Sequence, residues 1–112
     1  MSQIKIYRGD DCEKNIYFTD KNKVPIDITG WTIHFTVKID PVDSDAIALI
    51  KKDITDHINP TIGHSVISLT GMETNQSPKT YYYDIQTKAG TKIRTILVGE
   101  FVIMANISRR VI

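Results

Sequence analysis

Gly30-Trp31-Thr32-Ile33-His34-Phe35-Thr36-Val37-Lys38-Ile39-Asp40 decides the fold. Trp31, Ile33, Phe35, Val37 and Ile39 are large and apolar, and Thr32, His34, Thr36 and Lys38 between them are polar. Successive side chains of an extended chain point to opposite sides, so this spacing puts the apolar row on one face. On a helix the same residues would scatter around the axis. Trp, Ile, Phe, Val and Thr also suit a pleated surface. Such a face has to be covered, and the stretch therefore predicts packed sheets.

Upstream, Ile4 and Ile6 mark a short first strand that stops at Arg8-Gly9-Asp10-Asp11. The tripeptide Arg8-Gly9-Asp10 has the form of an adhesion motif, but Gly with Asp is a common turn pair and the turn accounts for it. A second strand is expected around Asn15–Thr19, and the polar Asp20–Lys23 suits a hairpin connection. Pro25 confines Val24–Ile26 to an edge or irregular segment, because it lacks a donor.

Downstream, Ala46–Lys52 reads as a strand between turn signals, and Asp53–Gly63 as a loop broken by Asn59-Pro60. Ser65–Leu69 alternates. Thr70, with Glu73 three residues on, predicts a single capped helical turn ended by Ser77-Pro78. Thr80–Thr87 is a further strand, with Tyr81, Tyr83 and Ile85 on one face and Tyr82, Asp84 and Gln86 on the other. Thr91–Ile107 is apolar on both faces, and Gly99 reads as a bulge or a break into two strands. About eight short strands joined by turns predict an all-β sandwich in one domain spanning 1–112.

The 112 residues suffice to bury roughly two-thirds of the unfolded surface. Hydrophobic residues make up 41% and the net charge is +1, which argues for a globular chain and against nucleic acid or an anionic membrane as main partner. The single Cys12 has no partner for an internal disulfide, so stability is expected from packing in a reducing compartment. No apolar run reaches membrane length, and the polar start Met1-Ser2-Gln3-Ile4-Lys5 does not resemble a signal peptide. The expectation is a soluble protein made in the cytoplasm.

No catalytic constellation emerges. His34, His57 and His64 lack zinc-motif spacing, so hydrogen-bonded or solvent-facing roles are expected and no metal is assigned. Asp40, Asp43 and Asp45 crowd a turn without the ligand order of a calcium loop. Serines occur without a nucleophile elbow, there is no glycine-rich phosphate loop, and Cys12 has no adjacent cation. The chain is therefore expected to be neither an enzyme nor a cofactor carrier. Tyr81 and Tyr83 are expected in the core, leaving Tyr82 as the candidate ligand contact. Apolarity on both faces of the last strand predicts an interface of Val98, Val102 and Met104, with Leu97, Phe101 and Ile103 turned inward. A register shift at Gly99 would reverse that assignment.

Several stretches together resemble the N-terminal domain of phage baseplate upper proteins and related small phage and prophage tail proteins. These are Ile6-Tyr7-Arg8-Gly9-Asp10, Asp27-Ile28-Thr29-Gly30-Trp31 with Phe35-Thr36-Val37-Lys38, Gly63 to Thr70, Tyr81-Tyr82-Tyr83-Asp84-Ile85, Gly99-Glu100-Phe101-Val102-Ile103, and Asn106-Ile107-Ser108-Arg109. They fall in the family's order along nearly the whole chain. The resemblance implies an immunoglobulin-like antiparallel β-sandwich and an architectural role in a virion tail or baseplate. Self-assembly, docking to other tail or baseplate proteins, and synthesis in the bacterial host cytoplasm follow from it. Two departures stand out: Asp11 replaces the family's Thr, and the long trimer-forming region usual after this domain is not in the sequence. A host-surface carbohydrate or adhesion module using Tyr82 is the alternative.

Overall fold

The quoted stretch becomes a strand over Thr32–Lys38, in which Ile33, Phe35 and Val37 are at most 1% exposed. The computed structural model describes residues 3–105, the side chain of Asp45 excepted. Among them the strands are β1 (Ile4–Tyr7), β2 (Cys12–Tyr17), β3 (Thr32–Lys38), β4 (Ile50–Ile54), β5 (His64–Leu69), β6 (Lys79–Ala89) and β7 (Lys92–Met104). One helical turn, α1 (Gly71–Thr74), follows β5.

The protein is nearly all-β. A five-stranded sheet has the order β1-β7-β6-β3-β4, and β2 with β5 forms a two-stranded one. The inward row of β3 meets Tyr81, Tyr83 and Ile85 of β6 and Phe101 and Ile103 of β7, all buried. Ile67 and Leu69 of β5 join the same core, with Phe18 and Ile28 from the connection between β2 and β3. Tilted rings at its centre, Phe35 with Tyr83 at 5.6 Å and with Phe101 at 6.1 Å, keep the offset that aromatic quadrupoles favour.

Several expectations change. The large sheet is mixed rather than antiparallel, because β1 runs parallel to β7, pairing Ile4 with Phe101 and Tyr7 with Met104. A hairpin forces antiparallel neighbours, but β1 and β7 come from opposite ends of the chain and are under no such constraint. The described residues hold seven strands rather than about eight. β7 is continuous through Gly99, which is buried and paired to Tyr83; the irregularity lies at Ile85/Gln86, opposite the stretch from Thr95 to Leu97. The strand expected over Ala46–Lys52 begins only at Ile50, after a 3-10 turn at Asp45–Ile47, and runs on to Ile54. Leu49 packs against the core and Ile50 is buried in it, while Ile47 is 63% exposed. At the ends of the β3 row, Trp31 is half-buried and Ile39, one residue past the strand, is 49% exposed. Asn106-Ile107-Ser108-Arg109 lies outside the described residues.

The helical turn forms as its sequence requires. Thr70 Oγ1 accepts from the Glu73 N–H at 3.3 Å, and the Glu73 carboxylate accepts from the Thr70 N–H at 2.9 Å. This reciprocal cap satisfies donors that a four-residue helix cannot satisfy itself.

Candidate functional site

Alternation along β7 sends Phe101 and Ile103 into the core, with Leu97 packed against it. Val98, Glu100, Val102 and Met104 face the opposite side. Val98 is 55% exposed; Val102 and Met104 are half-buried, since β1 sets Lys5 beside Val102 and Tyr7 beside Met104. Across β6 this outer face continues with Thr80 opposite Val102, Tyr82 opposite Glu100 and Asp84 opposite Val98. On β3 it continues with Lys38 opposite Tyr82 and Thr36 opposite Asp84.

Where β3 leaves the sheet, its following turn forms one wall of a shallow groove of about 250 Å³. Thr36, Lys38, Pro41, Tyr82, Asp84 and Val98 line it. The wall is fixed by its own aspartates. Asp40 Oδ1 accepts from the Val42 N–H at 3.1 Å, the Asp43 N–H donates to the Asp40 carbonyl at 3.0 Å, and Lys38 Nζ donates to the Asp43 carbonyl at 2.7 Å. The Asp40–Asp43 crowding thus builds a turn. Tyr82, 38% exposed, offers a ring, while Asp84, Thr36 and Lys38 offer an acceptor, a hydroxyl and an amine. Sequence spacing brought Val98 and Tyr82 to light separately; strand pairing puts both in this groove. Thr36, Lys38, Pro41 and Asp84 were not singled out, because their convergence depends on the β3–β6 register.

Comparison with known protein families and with curated proteins found no match to the chain.

The other candidate residues occupy structural positions. His57 Nε2 lies 2.8 Å from the Trp31 carbonyl, so it donates, and Nδ1 lies 2.9 Å from Ser65 Oγ. A Ser–His pair at this distance has the spacing of a nucleophile and its base. Ser65, however, has no exposed surface, so no substrate reaches its hydroxyl; the pair is a strut between β5 and the entry to β3. His34 bonds Asp53 at 2.6 Å across β3 and β4, and His64 bonds Asn15 at 3.0 Å while stacking on Tyr17 at 4.4 Å. No group of three His, Cys, Asp or Glu side chains stands close enough to share a metal among the described residues. Cys12 is half-buried, and burial pushes its thiol above the usual range, outweighing the nearby Lys14 charge.

Arg8-Gly9-Asp10 is bolted to α1. Arg8 Nε donates to Asn75 at 3.0 Å, Thr74 Oγ1 donates to the Asp10 carbonyl at 2.8 Å, and the neighbouring Asp11 accepts from the Gly71 N–H at 2.7 Å. Tyr81 and Tyr83 lie in the core, where burial raises both phenols; the Tyr81 hydroxyl donates to the Ser77 carbonyl at 2.6 Å.

Proposed function

We propose that this chain is a phage or prophage virion structural protein, a tail or baseplate component that works by self-assembly and by docking to other virion proteins. The observation that carries the reading is the outer face of β7, where Val98, Val102 and Met104 stand in one row on a strand whose other face already fills the core. The ordered resemblance along the chain supplies the class. In this reading the two sheets form an immunoglobulin-like sandwich, the protein is made in the bacterial host cytoplasm, and it ends in the virion. It acts without catalysis or cofactor, and its partners are proteins rather than nucleic acid or membrane.

Absolute mass by light scattering over a wide concentration range tests this. A defined oligomer is expected, and if the outer face forms its contact Val102→Glu should weaken it at least about tenfold, because a charge would have to be buried there. A folded Val102→Glu protein with unchanged association would remove the outer face from the assignment.

The groove favours one second reading, a carbohydrate module in which the Tyr82 ring stacks on a sugar and Asp84 accepts from its hydroxyls. A glycan array separates the two: binding abolished by Tyr82→Ala would favour the module, and silence would leave the assembly reading in place.

A further inference from the structure

The turn end of the β6–β7 hairpin carries one charge sign. Between Asp84 and Glu100 the sequence holds Lys88, Lys92 and Arg94 and no acidic residue. All three are exposed, as are Ile93 at 60% and Ile96 at 44%. β1 pairs with β7 only from Phe101 to Met104, so the stretch from Lys92 to Glu100 has β6 as its one neighbour in the sheet.

The strand registers locate this segment. Thr32, which opens β3, pairs with Lys88, and Lys38, which closes it, pairs with Tyr82. Thirteen residues of β7 at ~3.3 Å each match the longest dimension of the molecule, 42 Å. The hairpin turn is therefore one pole. At the other pole β3 runs out into Asp40 and Asp43, and β1, ending beside Met104, runs out into Asp10 and Asp11. Glu13 is one residue from Cys12, which pairs with Leu69 next to the same turn. Cations also stand at this pole, Arg8, Lys38 and the exposed Lys79, but the five carboxylates of Asp10, Asp11, Glu13, Asp40 and Asp43 outnumber them. At the basic pole Lys21 and Lys23 offset Asp20 and Asp27, leaving Asp53, bonded to His34, and Asp56 as the opposing charges.

Exposed apolar side chains stand at both ends, with Ile93 beside the hairpin turn, as well as midway along the sheet at Tyr82, Ile96 and Val98. The acidic pole carries Tyr7 at 49%, Ile39 at 49%, Val42 at 87% and Met72 at 88%. Each end thus joins apolar surface to charge, and the signs are opposite. A two-fold contact made end to end would set like pole against like; an end-to-end contact made head to tail sets opposite charges together and brings apolar surface against apolar surface. We propose that the basic hairpin end of one copy docks on the acidic end of the next, so that copies assemble head to tail into a ring or a filament. This rests on the self-assembly reading and names its geometry.

Two charge-reversed proteins test it by light scattering. One is Lys88→Glu with Lys92→Glu and Arg94→Glu; the other is Asp10→Lys with Glu13→Lys, whose side chains are exposed. The native protein should associate about tenfold more strongly at about 0.02 M than at about 0.5 M salt, because exposed charges are screened. Each variant alone should lose association about tenfold or more, with an unchanged circular-dichroism spectrum. Mixing the two should restore it, since each then meets an end of opposite charge. A hairpin variant that associates like the native protein overturns the polar geometry while leaving self-assembly standing. A native protein that stays monomeric at every concentration overturns both. One that binds duplex DNA without self-association overturns them in favour of a nucleic-acid partner.

Discussion

At the scale of single residues, two glycines with the same backbone sign separate conformational strain from steric conflict. Gly63 has φ +74° and Gly90 φ +64°, a region an L side chain adopts only at a cost. A Cβ on Gly90 would meet nothing within 4 Å, whereas one on Gly63 would lie 2.5 Å from the Phe18 carbonyl and 2.8 Å from the Ile26 carbonyl. These are main-chain atoms and cannot rotate aside. Gly90→Ala should therefore cost about 1 kcal/mol, and Gly63→Ala more than about 3 kcal/mol, in urea denaturation. Equal losses would mean that the Phe18–Gly63 approach is loose. The same experiment ranks two aromatics. Phe35, 1% exposed among Tyr83 and Phe101, should cost ~3–5 kcal/mol on truncation to Ala. Trp31 is half-buried and touches Phe18 edge-on at 5.8 Å, so its truncation should cost less than that of Phe35. Side-chain size alone would rank these residues the other way; the half-buried position of Trp31 at the end of the row reverses the order.

Elements show which signals a sequence carries. β3 and the inward tyrosines of β6 were legible because period-two alternation is local, and α1 because a capping box needs only four residues. The groove was not, since it depends on which strands become neighbours, and that is settled by contacts distant in sequence. Even where an element was foreseen, its attachment was not: the capping carboxylate of Glu73 also bonds Lys52 Nζ of β4 at 3.0 Å. Burial alone would raise the Glu73 pKa, but the hydrogen bonds from Thr70 and Lys52 outweigh it and the net shift is downward. The folded state thus holds this proton more weakly than the unfolded one. The resulting stabilisation is present above the ordinary carboxylate range and is lost as pH falls through the depressed folded value. Stability measured from about pH 7 to about pH 3 should fall less steeply in Glu73→Gln than in the native protein. Identical slopes would place the acid sensitivity elsewhere, for example at Asp27, whose pKa is lowered by the Thr29 hydroxyl and N–H. Thr70→Ala should separately remove about 1 kcal/mol by opening the cap.

For the whole molecule, the two surfaces proposed for assembly predict different shapes, and shape can be measured without knowing the partner. The parallel pairing of β1 with β7 matters here, because it sends the Asp10–Asp11 turn to the end opposite the basic hairpin. Alternation cannot foresee that pairing, although the run of Lys88, Lys92 and Arg94 without an acid was visible in the sequence. A monomer has a radius of gyration of 14.8 Å and extents of 42 × 28 × 23 Å. When two copies join, the square of the radius gains the square of half the distance between centres. Stacking outer face on outer face separates the centres by roughly the shortest extent and gives about 19 Å, whereas joining the poles separates them by roughly the longest and gives about 26 Å. Small-angle X-ray scattering on a dimer fraction at low salt should return the larger value. The smaller value, unchanged by reversing the hairpin charges and lost in Val102→Glu, would assign the contact to the Val98–Met104 row and leave the charged poles for a different partner.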